Sequence, residues 1–330
     1  MKVCVYAISK NEEKFAARWY ESMKEADTVV VLDTGSTDHT AEVLRELGAV
    51  VETKVISPWR FDVARNESMK LIPPDTDICV CTDLDEVFLP GWRAALEKAW
   101  KPGTQRARYR YTWSFNADGS EGTVLWPDKI HAYPGYKWIY PVHEVLARED
   151  GRRETPEEVV TLTGVALNHY PDRNKSRRQY LGLLELSAHE NPNDARTQHY
   201  LGREYMFAGE WEKCIAALTR HLYMPGAWWK EERCASWRFI SRAQRRLGRN
   251  AEARQSLYHA IGEAPHLREP YYEMASLLYA EGDYIGAIFM AQETLKIKKR
   301  PEVYVSEDIA WGEEPARILA AAQAALAQKT

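Results

Sequence analysis

TVVVLDTGSTDHTAEVLREL, residues 28–47, changes its period halfway along. Its first six residues form an apolar, β-branched run, the composition of a buried strand. Asp33 to Gly35 suit a tight turn, and Ser36, Thr37 and Asp38 supply the oxygen acceptors that open a helix over 38–47. The same alternation recurs in VCVYAI (3–8) before 12–25, AVVETKV (49–55) before 62–71, and DICVCTD (77–83) before 91–100. Such repetition predicts an α/β domain with a mostly parallel sheet and helices on both faces. Ligands of these sheets bind beyond the carboxyl ends of the strands. Three of the strands end there in polar sequence: SKNEE, DTGSTD and TDLDE.

Between 105 and about 167 the chain turns β-rich and aromatic, a mixed or antiparallel edge with loops that could wall a cleft. From 173 onward the periodicity is helical. LGREYMFAGEWEKCIAAL (201–218), ISRAQRRLGRNAEARQSL (240–257) and MASLLYAEGDYIGAIFMA (274–291) align with Gly209, Gly248 and Gly282 in one slot, and with Cys214, Ala253 and Ala287 five positions later. The glycine spacings are 39 and 34, and the second is the tetratricopeptide period. Residues 173–330 therefore read as an all-α domain resembling tetratricopeptide repeats, closed by a capping helix over 313–329, and residues 1–172 as the α/β domain.

The formal net charge of -4 over 330 residues divides into -7 for 1–172 and +3 for 173–330. Neither value argues for nucleic acid or an anionic membrane as the main partner. The basic clusters 173–178, 245–249 and 296–300 read as solvated helix faces, with an anionic acceptor such as modified DNA as the alternative. The five cysteines follow no disulfide spacing, and no apolar run approaches the ~18 residues that span a bilayer. The expectation is a soluble, unexported, cytoplasmic protein.

CTDLDEVF (81–88) places Asp83, Asp85 and Glu86 at the end of a strand. Residues i and i+2 of a strand point the same way, so Asp83 and Asp85 project together. Clustered carboxylates repel unless a cation offsets them, and hard oxygen donors suit Mg²⁺ or Mn²⁺ completed by phosphate oxygens. The competing reading is a solvated helix start with Glu86 on the dipole. Asp33 ends a neighbouring strand, where it could accept hydrogen bonds from a base or ribose. Within FDVARNES (61–68), Arg65 is either an i, i+3 partner of Asp62 or a bidentate phosphate clamp.

In order, IxKNEE, DTGSTD, W-x-FDxARN, a strand ending in DLDE, KIHAYPGYKWIYPVHEVL and VALNHY resemble the GT-A glycosyltransferases of family 2, in particular the sublancin-type peptide glycosyltransferase branch. The resemblance covers residues 1–175 motif by motif. It implies a GT-A, Rossmann-like domain that binds a nucleotide-diphosphate sugar, UDP-linked by preference, with Mn²⁺ or Mg²⁺. Asp83 would face the ribose and Asp85 the metal. Ala7, Ser9, Asn11, Glu13 and Asp33 would lie near the nucleoside, with Asp62 and Arg65 also on the donor side. His169, at the end of its strand, is the first candidate for a further metal ligand, His143 the second and His131 the third.

Glu144 is the candidate general base for inverting transfer, with Asp128 and Glu86 as alternatives. Of Trp113, Trp126, Tyr133, Tyr136, Trp138 and Tyr140, Trp138 is the residue expected to stack on a sugar. The acceptor stays open among peptide or protein, glycan and modified DNA base. Other readings are a GT-A shell without activity whose repeats bind a protein partner or a second copy of the chain, and a nucleotidyltransferase. Against the latter, the glycine-rich, basic first loop that a triphosphate needs is missing after VCVYAI.

Overall fold

The computed structural model describes all residues except 117, 152–155, 173–177, 302–305 and 330, together with the side chains of 178 and 179. The chain forms two compact units, Met1–Ser176 and Arg177–Thr330. Most of the basic cluster 173–178, and the expected boundary after 172, fall on or against residues outside the described part.

The first unit opens with β1 (Val3–Ser9), α1 (Glu13–Met23), β2 (Thr28–Asp33), α2 (Thr40–Leu47), β3 (Val50–Thr53), α3 (Phe61–Met69) and β4 (Ile78–Cys81). It continues with β5 (Glu86–Phe88), α4 (Trp92–Ala99), β6 (Arg106–Thr112), β7 (Val124–Leu125), β8 (Ile130–Ala132), β9 (Tyr136–Ile139), β10 (Val145–Arg148) and β11 (Val159–His169). The main sheet runs β3-β2-β1-β4-β8-β6-β11-β5, with β7 on β6, and β9 pairs with β10 separately. The pairs among β3, β2, β1 and β4 are parallel, as is β6 with β11, while β8 and β5 join antiparallel.

Period-2 alternation divides the core between two faces. Val3, Val5, Val29, Val31, Ile78 and Val80 pack with Phe15 and Trp19 of α1 and Trp92 and Leu96 of α4. Cys4, Tyr6, Val30, Cys79 and Cys81 face Met69 of α3 and Tyr136 and Trp138 of β9. Helices thus cover both faces, and three cysteines serve as small apolar residues on the second.

The acidic run does not open a helix. Glu86 enters β5, whose Val87 and Phe88 are β-formers, and β5 pairs antiparallel with β11. The helix begins only at Trp92, after Gly91 at φ 85°, and Trp92 stacks on Phe88 at 4.8 Å.

The second unit is helical: α5 (Arg178–Glu190), α6 (Ala195–Ala208), α7 (Trp211–Leu222), α8 (Lys230–Arg246), α9 (Asn250–Glu263), α10 (Glu269–Ala280), α11 (Tyr284–Lys296), α12 (Asp308–Trp311) and α13 (Glu314–Ala327). Gly209, Gly248 and Gly282 follow α6, α8 and α10 at φ 78°, 75° and 78°, the left-handed conformation that turns one helix back on the next. Cys214, Ala253 and Ala287 are fully buried where the paired helices cross. Gly202 is required by the same closeness, since a Cβ there would lie 2.4 Å from Leu218 Cγ. Residues of the other basic clusters meet acids: Arg249 pairs with Glu212, Lys296 with Glu293, and Arg300 with Asp308. Among the described residues no helix is long and apolar enough to cross a membrane.

Candidate functional site

β1 and β4 are neighbours in the sheet, yet the chain leaves β1 toward β2 on the other side, so strand order reverses between them. This is the switch point where α/β sheets bind ligands. The loops after β1 and β2 are stitched together there. Ser36 Oγ accepts from Asn11 N at 2.8 Å, Asn11 Oδ1 from Thr37 N at 2.7 Å, and Glu13 Oε2 from His39 N at 3.1 Å. Asn11 has φ 53°, a left-handed value that asparagine tolerates.

Asp33 accepts from Ser9 Oγ (3.1 Å), Ser36 Oγ (2.5 Å), Ser36 N (2.9 Å) and Gly35 N (3.2 Å). Four donors match the lone-pair capacity of a carboxylate, so Asp33 fixes the turn instead of offering an oxygen to a base or ribose. Ala7 is buried within β1. Of the residues expected near the nucleoside, the half of the loop pair that reaches solvent is Asn11 and Glu13.

The acids beyond β4 meet two cations. Arg65, on the first turns of α3 and with a side chain 4% exposed, sends Nη2 to Asp83 Oδ1 (2.8 Å), Nε to Glu144 Oε1 (2.5 Å) and Nη1 to Cys81 Sγ (3.3 Å). Its fork is therefore committed to protein groups, and the expected phosphate clamp gives way to an organiser of two carboxylates. Asp62, expected as its partner, pairs with Arg60 at 2.9 Å.

The second cation, Lys129, has Nζ 3.7 Å from Asp83 Oδ2 and 3.8 Å from Glu86 Oε1. Burial pushes the Asp83 carboxyl up, but the charges of Arg65 and Lys129 outweigh it and hold its pKa well below the carboxylate range. Glu86 accepts from Asp83 N and the Tyr111 hydroxyl, both at 2.9 Å, and burial raises its pKa.

Asp85 meets a histidine instead. The β5–β11 register sets His169 opposite Glu86, and Tyr170 N donates to Asp85 O at 2.8 Å. His169 Nδ1 donates to Trp113 O at 3.0 Å, which leaves Nε2 facing Asp85 Oδ2 at 3.4 Å. Burial disfavours the imidazolium while Asp85 favours it, and the net direction is a raised pKa. With neutral imidazole, two electron-pair donors face each other, an arrangement that calls for a proton or a cation.

Adjacent ligands on an octahedral ion with ~2.1 Å bonds lie about 3 Å apart, so this pair fits Mg²⁺ or Mn²⁺. Among the described residues no group of three or more His, Cys, Asp and Glu side chains is placed to hold a metal. The fit is consequently to an ion shared with phosphate oxygens and water. Asp83, the other expected ligand, is held by Arg65 and Lys129.

The remaining candidates take distinct places. His143 lies in the β9–β10 turn at φ 51°, next to Glu144 and close to Tyr140 at φ 78°, a left-handed value uncommon for an aromatic residue. His131 is fully buried in β8, its Nε2 accepting from the Tyr6 hydroxyl (3.0 Å) and its Nδ1 donating to Ala132 O (2.8 Å), so no metal reaches it. Asp128 pairs with Arg106 at 3.1 Å.

Trp138 is 3% exposed: its Nε1 donates to Tyr6 Oη at 2.9 Å and the Arg65 guanidinium lies over its ring at 5.1 Å. It supports Arg65 from below and cannot stack on a sugar. Trp113, 48% exposed beside His169, and Trp126, 38% exposed, are the tryptophans of the β-rich region that reach solvent. Sequence reasoning missed Lys129, although a lone cation in the aromatic stretch TVLWPDKIHAY of an acidic half was a usable signal.

Residues 4–135 match the family model described as Glycosyl transferase family 2. A stretch of 59 residues is 41% identical to an uncharacterized glycosyltransferase of Rickettsia typhi, which covers 18% of this chain and only 19% of that protein. The solved structure of MamA protein is similar with a TM-score of 0.33 and 18% identity, over 44% of this chain and 76% of that one. The Sgt2 TPR domain from Aspergillus fumigatus is similar with a TM-score of 0.33 and 16% identity, over 41% and 80%. The family match and the bacterial relative both support a glycosyltransferase in the first unit.

Proposed function

We propose that the protein transfers a sugar from a nucleoside diphosphate donor, UDP-linked by preference, to a hydroxyl of an acceptor, with inversion. The observation that carries this reading is the meeting of Asp85 and His169 at 3.4 Å beside the switch point, with Asp85 inside residues 4–135 that match the glycosyltransferase family and His169 brought to it by β11 from beyond that stretch. Asp85 and His169 would hold Mg²⁺ or Mn²⁺, which when bound offsets the charge that develops on the leaving diphosphate.

Asp83, steadied by Arg65 and Lys129, is positioned toward the ribose. Arg65 is a positioning residue that fixes Asp83 relative to Glu144. Glu144 takes the acceptor proton as the anomeric carbon gains the acceptor oxygen and its bond to the diphosphate oxygen breaks; nucleoside diphosphate leaves. The acceptor class is a peptide or glycan, and the helical unit is the candidate surface for holding it. The five cysteines, all buried and unpaired, fit a reducing compartment.

A second reading is favoured by one observation: Arg65 occupies both Asp83 and Glu144, as it would in a shell that binds partners without turnover. A thermal-shift screen of nucleoside diphosphates with and without Mn²⁺ decides between them. The transferase reading expects stabilisation that needs both ligands and is lost in Asp85→Ala and His169→Ala, together with metal-dependent donor hydrolysis. Absence of any stabilisation by any nucleoside diphosphate leaves the binding shell.

A further inference from the structure

Lys129 stands out on three counts. Its carbonyl accepts from Cys81 N at 3.2 Å, so the residue, just ahead of β8, lies alongside the carboxyl end of β4, beside the acids of the switch point. Its ammonium is drawn to Asp83 and Glu86, but at 3.7 and 3.8 Å both carboxylates lie beyond hydrogen-bond reach. Its side chain is 29% exposed, so the residue is not sealed in the core. An ammonium has three donors. Held by charge alone, with no hydrogen bond within 3.5 Å among the described residues, it is poised for an acceptor that the protein does not provide.

The neighbours narrow what that acceptor is. Arg65, the other cation of the site, has each of its three nitrogens on a protein group, Asp83, Glu144 and Cys81, and its side chain is only 4% exposed. Two carboxylates already flank Lys129, so a third carboxylate would enter a field that is close to neutral or negative. An oxygen-rich diphosphate that shares a divalent cation at Asp85 and His169 suits the place better, because the cation offsets its charge and each positive centre then takes a different oxygen.

We infer that Lys129 donates hydrogen bonds to the diphosphate of the donor and carries part of the leaving-group charge. This inference rests on the transferase reading and adds to it the residue that recognises phosphate. Asp83 and Glu86 then act as its holders: they place the ammonium and keep it from folding back on itself.

The test is calorimetric titration of the full chain with UDP and with uridine, in Mn²⁺, using the wild type, Lys129→Met and Lys129→Arg. A charged hydrogen bond to phosphate predicts that Lys129→Met weakens UDP by about tenfold to a hundredfold and leaves uridine unchanged, while Lys129→Arg recovers most of the loss. Equal weakening of UDP and uridine overturns the inference, since it marks a merely structural role through Asp83. So does unchanged UDP affinity in a folded Lys129→Met. Should the wild type bind neither UDP nor GDP, ADP or CDP, the donor reading itself fails, an outcome visible before any variant is made. Circular dichroism of each variant separates lost contact from lost fold, and Lys129→Arg keeps the comparison decisive if Lys129→Met does not fold.

Discussion

Acidification isolates one residue of the first core. His131 is fully buried, and burial, together with the charge of Arg106, lowers its pKa to about 4 against the bond to Ala132 O, which acts in the opposite direction. Nδ1–H is committed to that carbonyl, and Nε2 accepts from Tyr6, whose oxygen in turn accepts from Trp138 Nε1. A proton on Nε2 would turn an acceptor into a donor facing a donor.

The folded-state pKa is lower than the unfolded one, so the contribution is present above about pH 6.5 and is lost as pH falls toward 4. A gap of roughly 2.5 pH units at 1.36 kcal/mol each gives a loss of about 3 kcal/mol. Urea unfolding followed by tryptophan fluorescence at about pH 7 and about pH 4.5, for the wild type and His131→Asn, measures it. The variant is expected to be less stable at neutral pH but to lose about 2–3 kcal/mol less on acidification. Parallel losses in both proteins would refute the assigned tautomer and the network built on it.

Three further outcomes are expected. Glu144→Gln keeps a hydrogen-bonding partner for Arg65 but removes the base, so kcat should fall by about 10²–10⁴-fold while calorimetric donor affinity stays within a few-fold. Gly202→Ala pushes a Cβ into Leu218, and overpacking should cost about 1–3 kcal/mol in a denaturant melt of the helical unit, with Leu218→Ala restoring part of it. Burial raises the thiol pKa of Cys4, Cys214 and Cys234 to about 12 and that of Cys81 to about 11. Native protein at mild alkaline pH should therefore resist iodoacetamide, and all five cysteines should react after unfolding, as counted by intact mass.

The strands and helices of the first hundred residues were legible because alternation of period 2 and 3.6 is written locally: Val3, Val5, Val29 and Val31 announce one face, and Cys4, Tyr6 and Val30 the other. The glycine slot of the repeats was legible for a similar reason, since only a left-handed residue closes those turns. What stayed hidden depends on register between distant segments. Nothing in DLDE shows that Glu86 pairs with His169 across β5 and β11, or that Arg65 lies between Asp83 and Glu144. Trp138 illustrates the same limit: its composition fits a sugar platform or a core, and only the Arg65 guanidinium over its ring and the hydroxyl of Tyr6 select the core. Lys129 was overlooked because a single lysine has no pattern; its meaning comes from the two carboxylates that fold toward it.

Asn66 imitates a strand. Its amide oxygen accepts from Trp138 N and its amide nitrogen donates to Trp138 O, each at 2.8 Å, which joins α3 to β9 through one side chain. Only a group that gives and receives at this length can serve. Spontaneous deamidation to aspartate would set oxygen against oxygen at the carbonyl and loosen the anchorage beneath the neighbouring guanidinium, so ageing of a single amide would disturb the cleft without touching any group that meets a ligand.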